Sequence, residues 1–139
     1  MPINRDFIGR EYPAPDTYEV SRELIRRFAD AIGDASPVYR DIEAAKAQGY
    51  PDVIAHGMLT MATAARLVTD WAGDPGAVVE YGVRFSSPVV VPDDDKGTIL
   101  EVSGAVVEKL DGNRVAVDLD ARVGDAKVLA KARAIVQLA

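Results

Sequence analysis

The sequence predicts an α+β fold, a curled antiparallel sheet wrapped around one long central helix, and three observations carry the prediction. Residues 56–72 are the longest apolar run of helical composition, rich in Ala, Leu and Met. Their one helix-weakening residue, Gly57, stands where a helix begins. After this run, Val79, Tyr81, Val83 and Phe85 alternate with Glu80, Gly82, Arg84 and Ser86, the period of two that marks a half-buried strand. Three more strand-like runs follow, separated by turns. A single long apolar helix followed by antiparallel strands buries both sets of apolar faces when the sheet curls around the helix.

In chain order, the segment through Val20 contains Pro13, Pro15, Tyr12 and Tyr18, and is read as an extended arm ending in a short strand at Thr17–Val20. Ser21 is placed to cap a helix whose apolar face is Leu24, Ile25, Phe28, Ala29 and Ile32, with Gly33 as its stop. Residues 34–41, with Pro37 and no periodicity, form a loop, and Asp41 is placed to cap a short helix over Ile42–Gln48 that Gly49 ends. The central helix follows, closed by the turn signal Gly73-Asp74-Pro75-Gly76. Strands are then expected at Val79–Phe85, Ile99–Lys109, Arg114–Arg122 and Lys127–Leu138, four in succession. Leu110-Asp111-Gly112-Asn113 and Gly124-Asp125 serve as hairpin turns.

Composition narrows the function. The 139 residues fit one domain, 1–139, with 48% hydrophobic and 27% charged residues, an ordinary globular balance. There is no cysteine and one histidine, which argues against disulfides, thiol chemistry and a transition-metal site. Asp93-Asp94-Asp95 reads as a solvated loop. A net charge of −6 argues against nucleic acid, and leaves room for an anionic thioester held by local basic groups. Residues 1–10 lack the apolar core of a signal peptide and the central run contains Arg66 and Asp70, so no membrane span and a cytoplasmic location are expected.

The helix-in-sheet packing is the hot-dog arrangement, and three strings give it a family. Gly33-Asp34-Ala35-Ser36-Pro37-Val38-Tyr39, then Ile54-Ala55-His56-Gly57-Met58-Leu59-Thr60, then Tyr81-Gly82-Val83-Arg84-Phe85-Ser86-Ser87-Pro88-Val89 resemble the MaoC-like family over nearly the whole chain. The resemblance implies (R)-specific enoyl-thioester hydratase or 3-hydroxyacyl-thioester dehydratase chemistry on CoA- or carrier-protein-bound acyl chains. No cofactor is expected, and because a curled sheet leaves open apolar edges, assembly as a homodimer, or a heterodimer with another hot-dog subunit, by edge-to-edge joining is expected. The chain from His56 onward resembles the catalytic subunit of the mycobacterial-type heterodimeric dehydratases. Phe7-Ile8-Gly9-Arg10, Tyr18-Glu19-Val20 and the first helix look more like its partner subunit, so the chain reads as mosaic.

The family's loop motif is Gly-Asp-x-Asn-Pro-aliphatic-His. Here Gly33, Asp34, Pro37 and Val38 match, Ser36 replaces the Asn, and Tyr39 replaces the catalytic His. The resemblance implies that Asp34 helps to activate the water that adds at C3, and that the N–H of Gly57 polarises the thioester carbonyl. The residue at 39 would share the proton handling. A Tyr of pKa near 10 is in its basic form only about one part in a thousand at pH 7, so Tyr39 is a donor rather than a base. Asp34 and Tyr39 are therefore the candidate catalytic pair, and Ser36, His56, Gly57 and Arg84 the candidate substrate-binding residues.

Each has a plainer reading. Asp34 suits a turn, His56 suits a hydrogen bond to a backbone carbonyl at the helix start, and Tyr39 suits packing at the loop base. Met58, Met61 and Trp71 suit the core or a tunnel wall. Arg84, opposite Tyr81 and Phe85, is either solvated or in contact with a phosphate of the thioester's carrier. Three functions follow: a hydratase or dehydratase, a non-catalytic acyl-thioester-binding partner subunit, and a thioesterase. The last needs a carboxylate on the central helix, where residues 56–69 have none.

Overall fold

A computed structural model describes residues 13–94 and 97–138; residues 7–10 and Tyr12, on which part of the expected arm and of the mosaic reading rests, lie outside them. The elements are β1 (Asp16–Val20), α1 (Arg22–Ile32), α2 (Ile42–Ala47), α3 (Gly57–Ala72), β2 (Val78–Phe85), β3 (Thr98–Leu110), β4 (Arg114–Val123) and β5 (Ala126–Gln137). Helix ends fall where their capping residues stand. The Ser21 hydroxyl accepts from the Leu24 N–H, and Gly33 closes α1 in the left-handed region at φ 73°. Asp41 accepts from Glu43 N–H to start α2, and Gly73 closes α3.

The five strands form one antiparallel sheet in the order β1-β3-β4-β5-β2. Here the structure corrects the expectation of four successive neighbours: β2 pairs with β5, not β3, and lies on the opposite edge from β1. The reason lies in the connection 86–97, which is too long for a hairpin and carries Pro88 and Pro92. Its residues 89–91 are fastened to the segment before α3. Ala55 N–H donates to Val89 O at 2.9 Å and Val91 N–H to Val53 O at 2.8 Å. Arg22 adds a second fastening, donating to Val91 O at 2.7 Å and to the Asp52 carboxylate at 2.6 Å.

Helix α3 turns Leu59, Thr60, Thr63, Ala64, Leu67 and Val68 into the sheet's concave face. They join Leu100, Val102, Val106, Val117, Leu119 and Leu129 in one core. Truncating a fully buried member such as Leu100 to Ala would cost about 2–5 kcal/mol. Tyr81 reaches from β2 to the other flank of the helix, its hydroxyl donating to Met61 O at 2.8 Å. Four apolar residues expected inside are not; one is Phe85, 55% exposed at the end of β2, where its ring meets Gly57 and not the core. Ile32 is 50% exposed at the end of α1 and Met58 is 58% exposed. Val79 is 43% exposed because the β2–β5 register slips between Val78 and Glu80. Met61 and Trp71 are half-buried. Among the described residues, no helix is long and apolar enough to cross a membrane.

Candidate active site

The loop after α1 is built by local bonds. Asp34 N–H donates to Ala29 O at 3.0 Å. The Asp34 carboxylate accepts from the Ser36 hydroxyl at 2.7 Å and the Ser36 N–H at 3.2 Å, an Asx-type turn. These two bonds, the hydroxyl first, hold the Asp34 carboxyl below the usual aspartate range. Pro37 then starts a short 3₁₀ turn, Pro37–Tyr39, that buries Val38 and delivers Tyr39.

His56, only 3% exposed, joins this loop to the start of α3. Its Nε2 lies 3.1 Å from Asp34 O. A carbonyl oxygen only accepts, so Nε2 donates to it; Nδ1 is buried without a partner. The imidazole lies between two aromatic rings. Tyr39 stacks on it with centroids 3.7 Å apart, and Phe28 meets it edge-on at 5.1 Å. Burial, followed by the negative charge of Asp34, raises the Tyr39 phenol above its ordinary value, so it is a neutral donor at physiological pH.

Gly57 begins α3, so its N–H has no intrahelical acceptor and lies at the positive end of the helix dipole. A Cβ at this position would stand 3.1 Å from Cε1 and Cζ of Phe85, a close approach that glycine permits. Around it opens a cavity of about 300 Å³ whose walls include Tyr39, Tyr50, Thr60, Phe85 and Val128. That volume is at the small end for ligand sites.

Of the residues singled out in the sequence, Asp34, Ser36, Tyr39, His56 and Gly57 come together, linked through the His56 ring and the Asx turn. Only Tyr39 and Gly57 line the cavity. Ser36 lines a separate depression of about 120 Å³ on the other side of Tyr39, with Arg26 and Arg40. Arg84 does not join them: it lies in an outer groove with Lys131 and Arg133. Tyr50 and Phe85 are cavity residues that sequence reasoning missed. Phe85 was visible only as the last apolar residue of an alternating strand, and Tyr50 only as the residue after a helix stop. No group of three or more His, Cys, Asp or Glu among the described residues is arranged to hold a metal ion.

A curled sheet around a buried helix, with a cavity at the helix's first turn, defines a hot-dog domain. Residues 4–123 match the family described as MaoC like domain, and the chain belongs to this family. It is similar to a solved MaoC-like dehydratase, with a TM-score of 0.89 and 36% identity over 95% of this chain and 40% of that one. It is also similar to the R-hydratase PhaJ1 from Pseudomonas aeruginosa, with a TM-score of 0.79 and 27% identity over 94% of this chain and 81% of that one. A UPF0336 protein from Saccharopolyspora erythraea is 67% identical over 55 residues, 40% of this chain and 35% of its own length. The chain therefore spans well under half the length of two of these relatives.

Proposed function

We propose that the chain binds an enoyl or 3-hydroxyacyl thioester, carried by CoA or a carrier protein, beside Gly57, and takes part there in (R)-specific addition or removal of water. One observation supports the reading: Tyr39 and Gly57, whose first-turn N–H has no intrahelical acceptor, both line the cavity. When water adds at C3 of an enoyl thioester, negative charge develops on the thioester oxygen. A pre-positioned N–H at a helix start stabilises that charge. A neutral Tyr39 phenol beside it can give its proton to C2 while the water adding its hydroxyl at C3 returns a proton to the phenol oxygen, so that water is added across the double bond and Tyr39 ends neutral. Removal of water is the same path reversed.

The weak point of such a site is the base. Asp34 is held to Ser36 and is a weak base, and Tyr39 holds its proton well above neutral pH. Slow turnover follows. The same observation supports a second reading, a non-catalytic hot-dog subunit that binds the acyl thioester beside a catalytic partner, as a homodimer or heterodimer in the cytoplasm. Incubation of the purified chain with crotonyl-CoA, followed by loss of enoyl absorbance, separates the two. Hydration that disappears in Tyr39→Phe supports the enzyme. Binding of butyryl-CoA with no hydration overturns it in favour of the subunit.

A further inference from the structure

We infer that Phe85 sets the length of acyl chain that the cavity accepts and holds it to short chains, an inference that rests on the thioester reading above. The ring meets Gly57 with its tip. Cε1 and Cζ lie 3.1 Å, and Cε2 3.3 Å, from the point where a side chain on Gly57 would begin. A carbonyl oxygen accepting from the Gly57 N–H is bound to that same residue, so the ring tip flanks its seat. The carbons that leave the carbonyl run between Phe85 and the walls formed by Tyr39, Tyr50 and Thr60. In a cavity of about 300 Å³ this leaves room for the thioester and a few carbons beyond it.

The backbone beneath the ring is held in place. Phe85 pairs with Leu129 in the β2–β5 ladder. The next residue is tied twice to β5, Ser86 N–H to Val128 O at 3.0 Å and the Ser86 hydroxyl to Lys127 O at 2.7 Å. The Phe85 side chain is nevertheless 55% exposed. Such a large apolar ring contributes little to the core from that position. What it does is bound the space over Gly57. Shortening it opens that space along the direction in which an acyl chain would extend, and leaves the N–H, the phenols and the strand pairing in place.

Titration calorimetry of butyryl-CoA and octanoyl-CoA against the purified chain, Phe85→Ala and Phe85→Leu tests this without requiring turnover. The unaltered chain is expected to gain nothing from the longer acyl group. Phe85→Ala should shift the affinity ratio toward octanoyl-CoA by at least about tenfold, the scale on which apolar pockets discriminate methylenes. Phe85→Leu should fall between the two. Melting temperatures should stay nearly unchanged, because the ring is more than half in water; if Phe85→Ala fails to fold, Phe85→Leu alone carries the comparison. Unchanged or reversed ratios, with both thioesters bound, overturn the role of Phe85. Failure of the unaltered chain to bind either thioester overturns the thioester reading and this inference with it.

Discussion

The Tyr39 ring lies against the His56 imidazole with planes 22° from parallel and centroids 3.7 Å apart. Because His56 also donates to Asp34 O, one buried ring holds both ends of the 34–39 loop at the start of α3. The stack fixes the place from which a group at position 39 acts on the cavity.

A histidine at that place should restore a base. General acid–base catalysis is typically worth about 10²–10⁴-fold, and a side chain of pKa near 6.5 is mostly ready at neutral pH. Tyr39→His is expected to raise the rate of crotonyl-CoA hydration at least about tenfold, the lower figure allowing for imperfect orientation with Ser36 in place of Asn. Asp34→Asn in that background should remove the gain. A Tyr39→His protein no faster than the parent would mean that the loop no longer supports this chemistry.

Gly57→Ala separates ligand contact from fold. The new methyl must push the Phe85 ring tip back by tenths of an ångström, and an exposed ring can yield. Alanine's better helix propensity, by up to about 1 kcal/mol, offsets the strain. The melting temperature should therefore hardly move while butyryl-CoA binding weakens about tenfold, since the methyl intrudes on the seat itself. Undiminished affinity by calorimetry would remove Gly57 from the site.

Much of this arrangement was legible beforehand, and what was not shares one cause. Caps such as Ser21, Asp41 and Gly73 act within one turn of chain, so sequence alone placed them. The alternation of Val79, Tyr81, Val83 and Phe85 announced a strand but carried no information about its partner. That β2 crosses to β5 depends on bonds between 53–55 and 89–91, which are remote in sequence. The same crossing brings Phe85 over Gly57, while the β2–β5 register slips help to turn Val79 outward and Arg84 lies away from the cavity. Met58 and Ile32 were placed inside because helical periodicity gives a stripe, not its edges. Asp34 matched a motif, yet its carboxylate bonds its own loop and does not line the cavity.

Strand β2 ends the sheet with one side unpaired and with Val79, away from the cavity, exposed. An apolar edge of this kind is an association site unless a charge blocks it. The chain is expected to associate through it, and light scattering should give twice the 14.9 kDa of one copy. Val79→Lys should lower that mass toward a monomer. A monomer at all micromolar concentrations of the parent would count against a homodimer.

Alkaline titration should report on Tyr81, whose hydroxyl ties β2 to α3. Burial pushes this phenol up to about 12, against an ordinary value near 10 in the unfolded chain. Below pH 10 both states keep the proton and the contribution is complete. Above it the unfolded chain ionises first, so stability falls as pH rises until the native phenol ionises too, near 12. Tyr18 and Tyr39, also raised, act in the same direction. Urea midpoints measured from pH 9 to 11.5 should decline, and decline less steeply in Tyr81→Phe. An identical slope in the two proteins would assign the loss to other groups.

Because, among the described residues, β2 pairs with β5, the cavity needs strands that lie far apart in the chain. The helix start and the motif loop exist once residues up to about 72 are made, whereas the Phe85 and Val128 walls wait for strands completed near residue 137. Pairings so distant in sequence form slowly. Until then a growing chain carries the motif loop without the cavity in which the proposed thioester would sit. On that reading, acyl-thioester retention requires β5. A polypeptide stopped at Val123, before β5, should retain none.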